Sequence, residues 1–288
     1  MQVMNELLVI LAENSACVLL QMLIIVPLAA ALLLFVIPDR FQLAKGLAAL
    51  AVTLYLGYIS VGLWSTAPQM VPQGDLIIRG CMTFMSLDLL QKAGEYVTFT
   101  VDGLSKLIVL SISVLSLLIL VYSLVYNKSR RVSHFNSWFL LTLGCSYGAV
   151  LADNLILFVI FWGILGITLY KLIPGRDEAS SAAAKKTMIL IGASDTLMLL
   201  GIALLWRLTD TLSINNISLD TVNILNIIAF LALMIGSFTK AGAFPFHTWV
   251  PDFTASSPAS SSARLPASLD KLLGIYFLAR ITGDLFIL

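Results

Sequence analysis

Lys240 lies in the run Gly236-Ser-Phe-Thr-Lys-Ala-Gly-Ala-Phe-Pro-Phe-His-Thr-Trp-Val-Pro-Asp-Phe253, inside an otherwise apolar span. An ammonium at membrane depth costs about 3 kcal/mol on insertion scales, so a chain that keeps one there usually needs it for an ion path. Burial that lowers a lysine's pKa lets it hold and release a proton near neutral pH. The competing role is static: the stem snorkels to the interface, or the charge pairs permanently with a carboxylate. His247, further along the same run beside Trp249 and Pro251, is a second candidate, since an unperturbed imidazole titrates near about 6.5. A histidine placed at the interface by an aromatic anchor reads the same way.

These residues need elements to hold them. Ala241, Gly242, Ala243 and Pro245 come directly after Lys240, and a proline removes a backbone donor and clashes with the preceding turn, so the spacing predicts a broken helix. Broken helices occur at membrane depth only where their freed polar groups line protein or water, close to an ion site.

The rest of the chain is built for a membrane. Hydrophobic residues make up 59% of the 288 and charged residues only 11%, with a mean hydropathy of +0.96, against about 25% charged residues in soluble domains. A net charge of +1 gives no case for nucleic acid or another strongly charged partner. Cys17, Cys81 and Cys145 are scattered and form no CxxC or Cys/His pattern, so neither a disulfide framework nor a metal site is expected. Signatures for phosphate binding, zinc hydrolysis or serine nucleophiles do not occur in a suitable context. The small-residue stretches Ser180–Ala184 and Ala255–Ala263 read as connections or close helix contacts. No cofactor is expected on this chain, and its role is expected to be non-catalytic.

Runs of about 20 apolar residues, enough to cross about 30 Å of hydrocarbon, give eight candidate spans: Cys17–Ile37, Leu43–Trp64, Leu104–Tyr126, Ser137–Ala152, Asn154–Ile173, Thr187–Trp206, Val222–Val250 and Leu265–Leu288. The fold expected is all-α and polytopic. Met1–Ala16 carries Glu6 and Glu13 and lacks the basic start of a signal peptide, so it reads as an extension of the first span. Basic loop residues concentrate on alternate connections, Arg40 and Lys45, then Lys128, Arg130 and Arg131, then Arg176, Lys185 and Lys186; the others carry Asp153, Asp210 and Asp220 with only Arg207, and Asp284 with Arg280. By the positive-inside rule the basic side is cytoplasmic and both termini are outside, in a cell inner membrane. The connection Ser65–Asp102, with Gly74, Leu76, Ile77, Ile78 and Tyr96–Phe99, suggests an external hairpin.

Several stretches, taken in order, resemble one family. Phe238-Thr-Lys-Ala-Gly-Ala-Phe-Pro-Phe-His-Thr-Trp-Val-Pro-Asp252 is similar to the "tKSAqfPfhxWLPdA" signature of the antiporter-like proton-translocating subunits shared by respiratory complex I, membrane-bound hydrogenases and Mrp-type Na+/H+ antiporters. Asp102-Gly-Leu-Ser105 resembles the opening of the family's third helix and Tyr122-Ser123 its close. Phe161-Trp162 resembles the "FWE" of the fifth, Lys186 with Asp195 the lysine and "GD" of the sixth, and Ala267–Arg280, with Lys271 and Tyr276, the eighth.

The resemblance implies a fold of about fourteen helices containing two inverted five-helix repeats. On that pattern residues 1–136 supply three leading helices with an external loop at 65–102, and 137–288 supply the first repeat. A second repeat is then expected from a separate polypeptide or a lost portion of the chain. Partners implied are other membrane subunits, peripheral redox subunits and lipid. The function implied is ion translocation, of protons or of sodium, in a redox-driven complex. An Mrp-like antiporter component and a non-pumping scaffold are the alternatives. Lys240, His247, Lys271, Asp195 and Lys186 are the pathway residues expected. One departure bears on the scaffold reading. Gly163 stands where the family places the fifth-helix glutamate that pairs with the lysine, so another acid, Asp195 or Asp153, must substitute or the pump is lost.

Overall fold

The computed structural model describes residues 2–65, 69–72, 97–126, 132, 134–173 and 177–287. Long apolar runs form helices because only a helix satisfies its own backbone polar groups where water is absent. Among the described residues seven long helices follow in chain order: α1 (Gln2–Val36), α2 (Gln42–Trp64), α3 (Gly103–Tyr126), α4 (Phe135–Leu151), α5 (Leu155–Lys171), α6 (Glu178–Thr209) and α7 (Ile224–Ala241). Among the described residues five are long and apolar enough to cross a membrane, namely α1, α2, α3, α6 and α7. α4 and α5 are apolar but only 17 residues each, about 26 Å at 1.5 Å per residue. The chain is a multi-pass helical membrane protein.

Polar residues set the helix boundaries. Between α4 and α5, the Asn154 side chain accepts from Ile156 N at 2.9 Å and caps α5. Asp153 accepts from Ser213 Oγ at 2.7 Å and Asn215 Nδ2 at 2.6 Å, tying this corner to the connection after α6. Asp153 is therefore committed to the loop and does not replace the missing glutamate. A capping box starts α6, with Asp177 Oδ1 2.7 Å from Ser180 N, satisfying amides that the first helical turn leaves free.

Beyond α7 come two short helices, α8 (Trp249–Ser256) and α9 (Ala259–Arg264). The last expected span, Leu265–Leu288, is not one α-helix: it divides into a π-helical turn at Leu265–Leu269, α10 (Asp270–Arg280) and a second π-helical turn at Ile281–Leu285. Pro266 sits in the first of these turns, where its missing N–H favours a departure from the α ladder. Two short strands, β1 (Gln69–Pro72) and β2 (Thr98–Val101), pair antiparallel with Gln69 opposite Val101. The rest of the expected hairpin, with Gly74 and Leu76–Ile78, lies outside the described residues, as do Lys128, Arg130, Arg131 and Arg176.

One expected loop charge is internal. Lys45 is 1% exposed, and its Nζ meets Ile37 O at 3.0 Å, Asp39 Oδ1 at 2.9 Å and His134 Nδ1 at 3.2 Å. It locks the α1–α2 corner to the start of α4. α10 packs on α7, α7 on α6 and α5 on α4. Where they converge, Phe158 stacks on Phe277 at 4.4 Å and Trp162 lies 5.7 Å from the same ring.

Candidate functional site

The break after Lys240 is built by glycine rather than by proline. α7 stops at Ala241 because Gly242 takes a left-handed conformation, φ +65°, which a residue without Cβ adopts at little cost. Gly242 N donates to Thr239 O at 3.1 Å and Ala243 N to Phe238 O at 2.9 Å, the paired bonds of a Schellman end. Pro245 lies in the connection beyond. Trp249, fully buried at the start of α8, donates its indole N–H to Thr239 O at 3.0 Å and fastens the resumed helix to the end of α7.

Lys240 is 1% exposed. Its Nζ donates to Trp162 O at 3.0 Å and sits 4.6 Å from the centroid of the Trp162 ring. On its other side, Trp162 donates Nε1–H to Asp195 Oδ1 at 2.8 Å. One tryptophan thus joins a buried ammonium to a carboxylate through two of its own polar groups. Asp195 lies against α5 beside Gly166, where a Cβ would be in ordinary contact with its Oδ2 at 3.8 Å, whereas a Cβ on Gly163 would meet nothing within 4 Å. The position without its glutamate is open space, and the acid nearby comes from α6.

Asp270, the first residue of α10, is fully buried, and neither of its oxygens has a hydrogen-bond partner among the described residues. The Lys240 charge acts electrostatically on both Asp270 and Asp195. Sequence reasoning missed Asp270 and attended to its neighbour, although the rule that singled out Lys240, an ionisable group in an apolar span, applies to it equally. Arg264 was also missed. It is fully buried with its guanidinium 3.4 Å from the Phe139 centroid, and Nη2 donates to Phe139 O at 2.9 Å.

The other expected pathway residues stand apart from this centre. His247 is exposed in the connection between α7 and α8, 5.8 Å from the Phe244 ring. Lys271 is exposed on α10. Lys186 does not pair with Asp195; its Nζ is 2.6 Å from Asp252 on α8, both half exposed. The structure brings together Lys240, Trp162 and Asp195, and adds Asp270.

A second buried centre links two motifs that the sequence keeps far apart. Arg280 Nη1 lies 2.6 Å from Asp102 and 2.7 Å from Asp284, Nη2 2.9 Å from Ser105 Oγ, and Nε 3.0 Å from the Tyr276 hydroxyl oxygen. The Tyr276 hydroxyl in turn donates to Val150 O at 2.6 Å.

Residues 152–287 match the family described as "NADH:quinone oxidoreductase/Mrp antiporter, TM". The chain is 35% identical over 193 residues to an Na(+)/H(+) antiporter subunit of Alkalihalophilus pseudofirmus, covering 64% of this chain and 24% of that protein. With an Na(+)/H(+) antiporter subunit of Staphylococcus aureus it shares 32% identity over 212 residues, 71% of this chain and 26% of that protein. It therefore spans about a quarter of the length of the curated relatives it matches. Among solved structures, its fold matches a chain of the membrane-bound sulfane sulfur reductase, an archaeal respiratory membrane complex (TM-score 0.75, 20% identity, covering 92% of this chain and 54% of that one). It also matches a chain of the Mrp complex from Dietzia sp. DQ12-45-1b (TM-score 0.72, 18% identity, 93% and 48%). A third match is to a chain of respiratory complex I from Thermus thermophilus (TM-score 0.66, 21% identity, 91% and 52%). With its helix break and buried lysine set beside these matches, the chain is a member of the antiporter-like membrane-subunit family to which these Na(+)/H(+) antiporter relatives belong.

Proposed function

We propose that this chain is an ion-translocating subunit of a larger membrane complex, with Lys240 as its proton-exchanging group. The observation that carries the reading is the Lys240 environment: an ammonium 1% exposed at the end of a broken helix, with one hydrogen bond to a carbonyl and a carboxylate behind the same tryptophan. A lysine has three N–H donors, and among the described residues only one of those of Lys240 has a hydrogen-bond acceptor, the Trp162 carbonyl. Residues 137–288 form the five-helix repeat in this reading, after three leading helices in 1–136, and the second repeat is supplied from outside these 288 residues. His247, Lys271 and the Lys186–Asp252 pair serve the route between Lys240 and the surfaces of the repeat.

The reading is tested in proteoliposomes holding the assembled complex, with Lys240→Ala against wild type. Proton or sodium movement falls to background in the variant; unchanged movement leaves a scaffold. Two relatives named as Na(+)/H(+) antiporter subunits support a second reading, an antiporter component. Under that reading ion movement driven by an imposed gradient persists without an electron donor, whereas a redox-driven subunit requires one.

A further inference from the structure

Resting on that reading, we infer that Asp270 is the acid with which Lys240 exchanges its proton, in place of the glutamate that is missing at Gly163. Three geometric facts converge on it. First, Asp270 is fully buried and both carboxylate oxygens lack a hydrogen-bond partner among the described residues; a buried carboxylate left unpaired is costly, and one retained in that state usually has work to do. Second, α10 crosses α7 in direct backbone contact beside the lysine. A Cβ on Gly274 would lie 2.7 Å from Ala241 N and 2.8 Å from Ser237 O, and Ser237 Oγ donates to Gly274 O at 2.5 Å. Residues four apart share a helix face, so Asp270, one turn before Gly274, is carried on the face that α10 turns toward Lys240. Third, Asp195 is already engaged, its Oδ1 holding the Trp162 indole N–H at 2.8 Å, while Asp270 has no such commitment.

The groups around Lys240 then have distinct places. The Trp162 carbonyl on α5 holds Nζ, Asp195 on α6 lies behind the indole, Asp270 on α10 lies on the α7 side, and the buried Cys145 thiol on α4 also falls within reach of the lysine's charge. The exchange is a simple transfer. An N–H bond of the Lys240 ammonium breaks, an O–H bond forms on Asp270, and an ion pair becomes a neutral amine and a neutral acid with no change in total charge. The lysine stem is long and flexible, which lets Nζ leave the Trp162 carbonyl and approach Asp270.

Two readouts on the assembled complex test this. In thermal unfolding, Lys240→Met strands a buried carboxylate and lowers the midpoint, and adding Asp270→Asn restores it most of the way, because breaking a buried pair on one side costs more than removing both. Adding Asp195→Asn instead restores less. Purely additive midpoints in the Lys240→Met/Asp270→Asn variant overturn the pair, whatever transport does. In proteoliposomes, Asp270→Asn lowers ion movement at least tenfold, while Asp270→Glu retains movement with a displaced pH profile. Wild-type movement and an unmoved pH profile in Asp270→Asn, with Lys240→Met inactive, overturn the exchange alone. Coupled midpoints together with wild-type movement in Lys240→Met overturn both the exchange and the reading it rests on.

Discussion

Arg280 and Lys240 are both buried cations in the last third of the chain, and their surroundings differ in kind. Arg280 uses its N–H groups on Asp102, Asp284, Ser105 and Tyr276, and those acceptors are themselves held, Asp102 by Ser105 N at 2.7 Å and Tyr276 by its bond to Val150 O. Lys240 uses one, on a carbonyl, and the carboxylates around it are either one residue removed or unpartnered among the described residues. A saturated network fixes geometry and charge together. An unsaturated one keeps a charge without fixing where its proton resides. Under the proposed function the two centres would serve two requirements of a transport subunit, a fixed joint and a site of proton exchange.

That contrast can be broken at the joint. Arg280→Met leaves Asp102 and Asp284 without their cation and Ser105 and Tyr276 without their donor; both carboxylates are about one third exposed, so solvent screening brings the cost below the about 3–5 kcal/mol of a fully buried pair. A fall in the thermal midpoint of the assembled complex is expected, with residual transport scaling with the protein that remains assembled. Next in size is Gly274→Leu, which drives a side chain into Ala241 and Ser237 where even a Cβ is at 2.7 Å. Overpacking of this kind costs about 1–3 kcal/mol, and displacement of α10 from α7 should depress transport more than stability. Trp162→Phe keeps the carbonyl under Lys240 and removes the indole N–H from Asp195, a charge-assisted bond worth about 1.5–3 kcal/mol. Its expected signature is a displaced pH profile of ion movement with assembly retained.

The smallest effect is at the edge of the Arg280 centre. Burial alone would raise the Asp102 carboxyl above its ordinary value, but the Arg280 guanidinium and the Ser105 amide outweigh it and hold the group below 3.8. A carboxyl lowered in the folded state contributes stability that is complete above its unfolded value and lost as pH falls through the folded one. Acid unfolding of the wild type should therefore steepen below about pH 4, and Asp102→Asn should flatten that limb.

The helices and the key lysine were legible because their signals are local. Apolar runs specify spans, and Lys240 in such a run announces itself by its cost. Asn154 was readable as a boundary because a cap acts over two residues. What was not legible depended on distance through space. Nothing adjacent in sequence says that Asp102 meets Arg280, or that a tryptophan on α5 lies between Lys240 and Asp195. Pro245 drew attention as the helix breaker, yet Gly242 ends α7 first, since a left-handed C-terminal residue stops a helix without any proline. Lys271 was the candidate on the last helix and its neighbour Asp270 was passed over; only the packing of α10, which buries Asp270 and leaves Lys271 exposed, shows which one faces inward.

The most direct test of the central claim measures ion movement per assembled complex, beside the thermal midpoint, for Lys240→Ala and Arg280→Met in the same proteoliposome preparation. The account predicts that Lys240→Ala, with a lowered midpoint, still yields assembled complex and moves no ions above background, whereas Arg280→Met loses more assembly and keeps its movement per complex. Wild-type ion movement per complex in Lys240→Ala would contradict it.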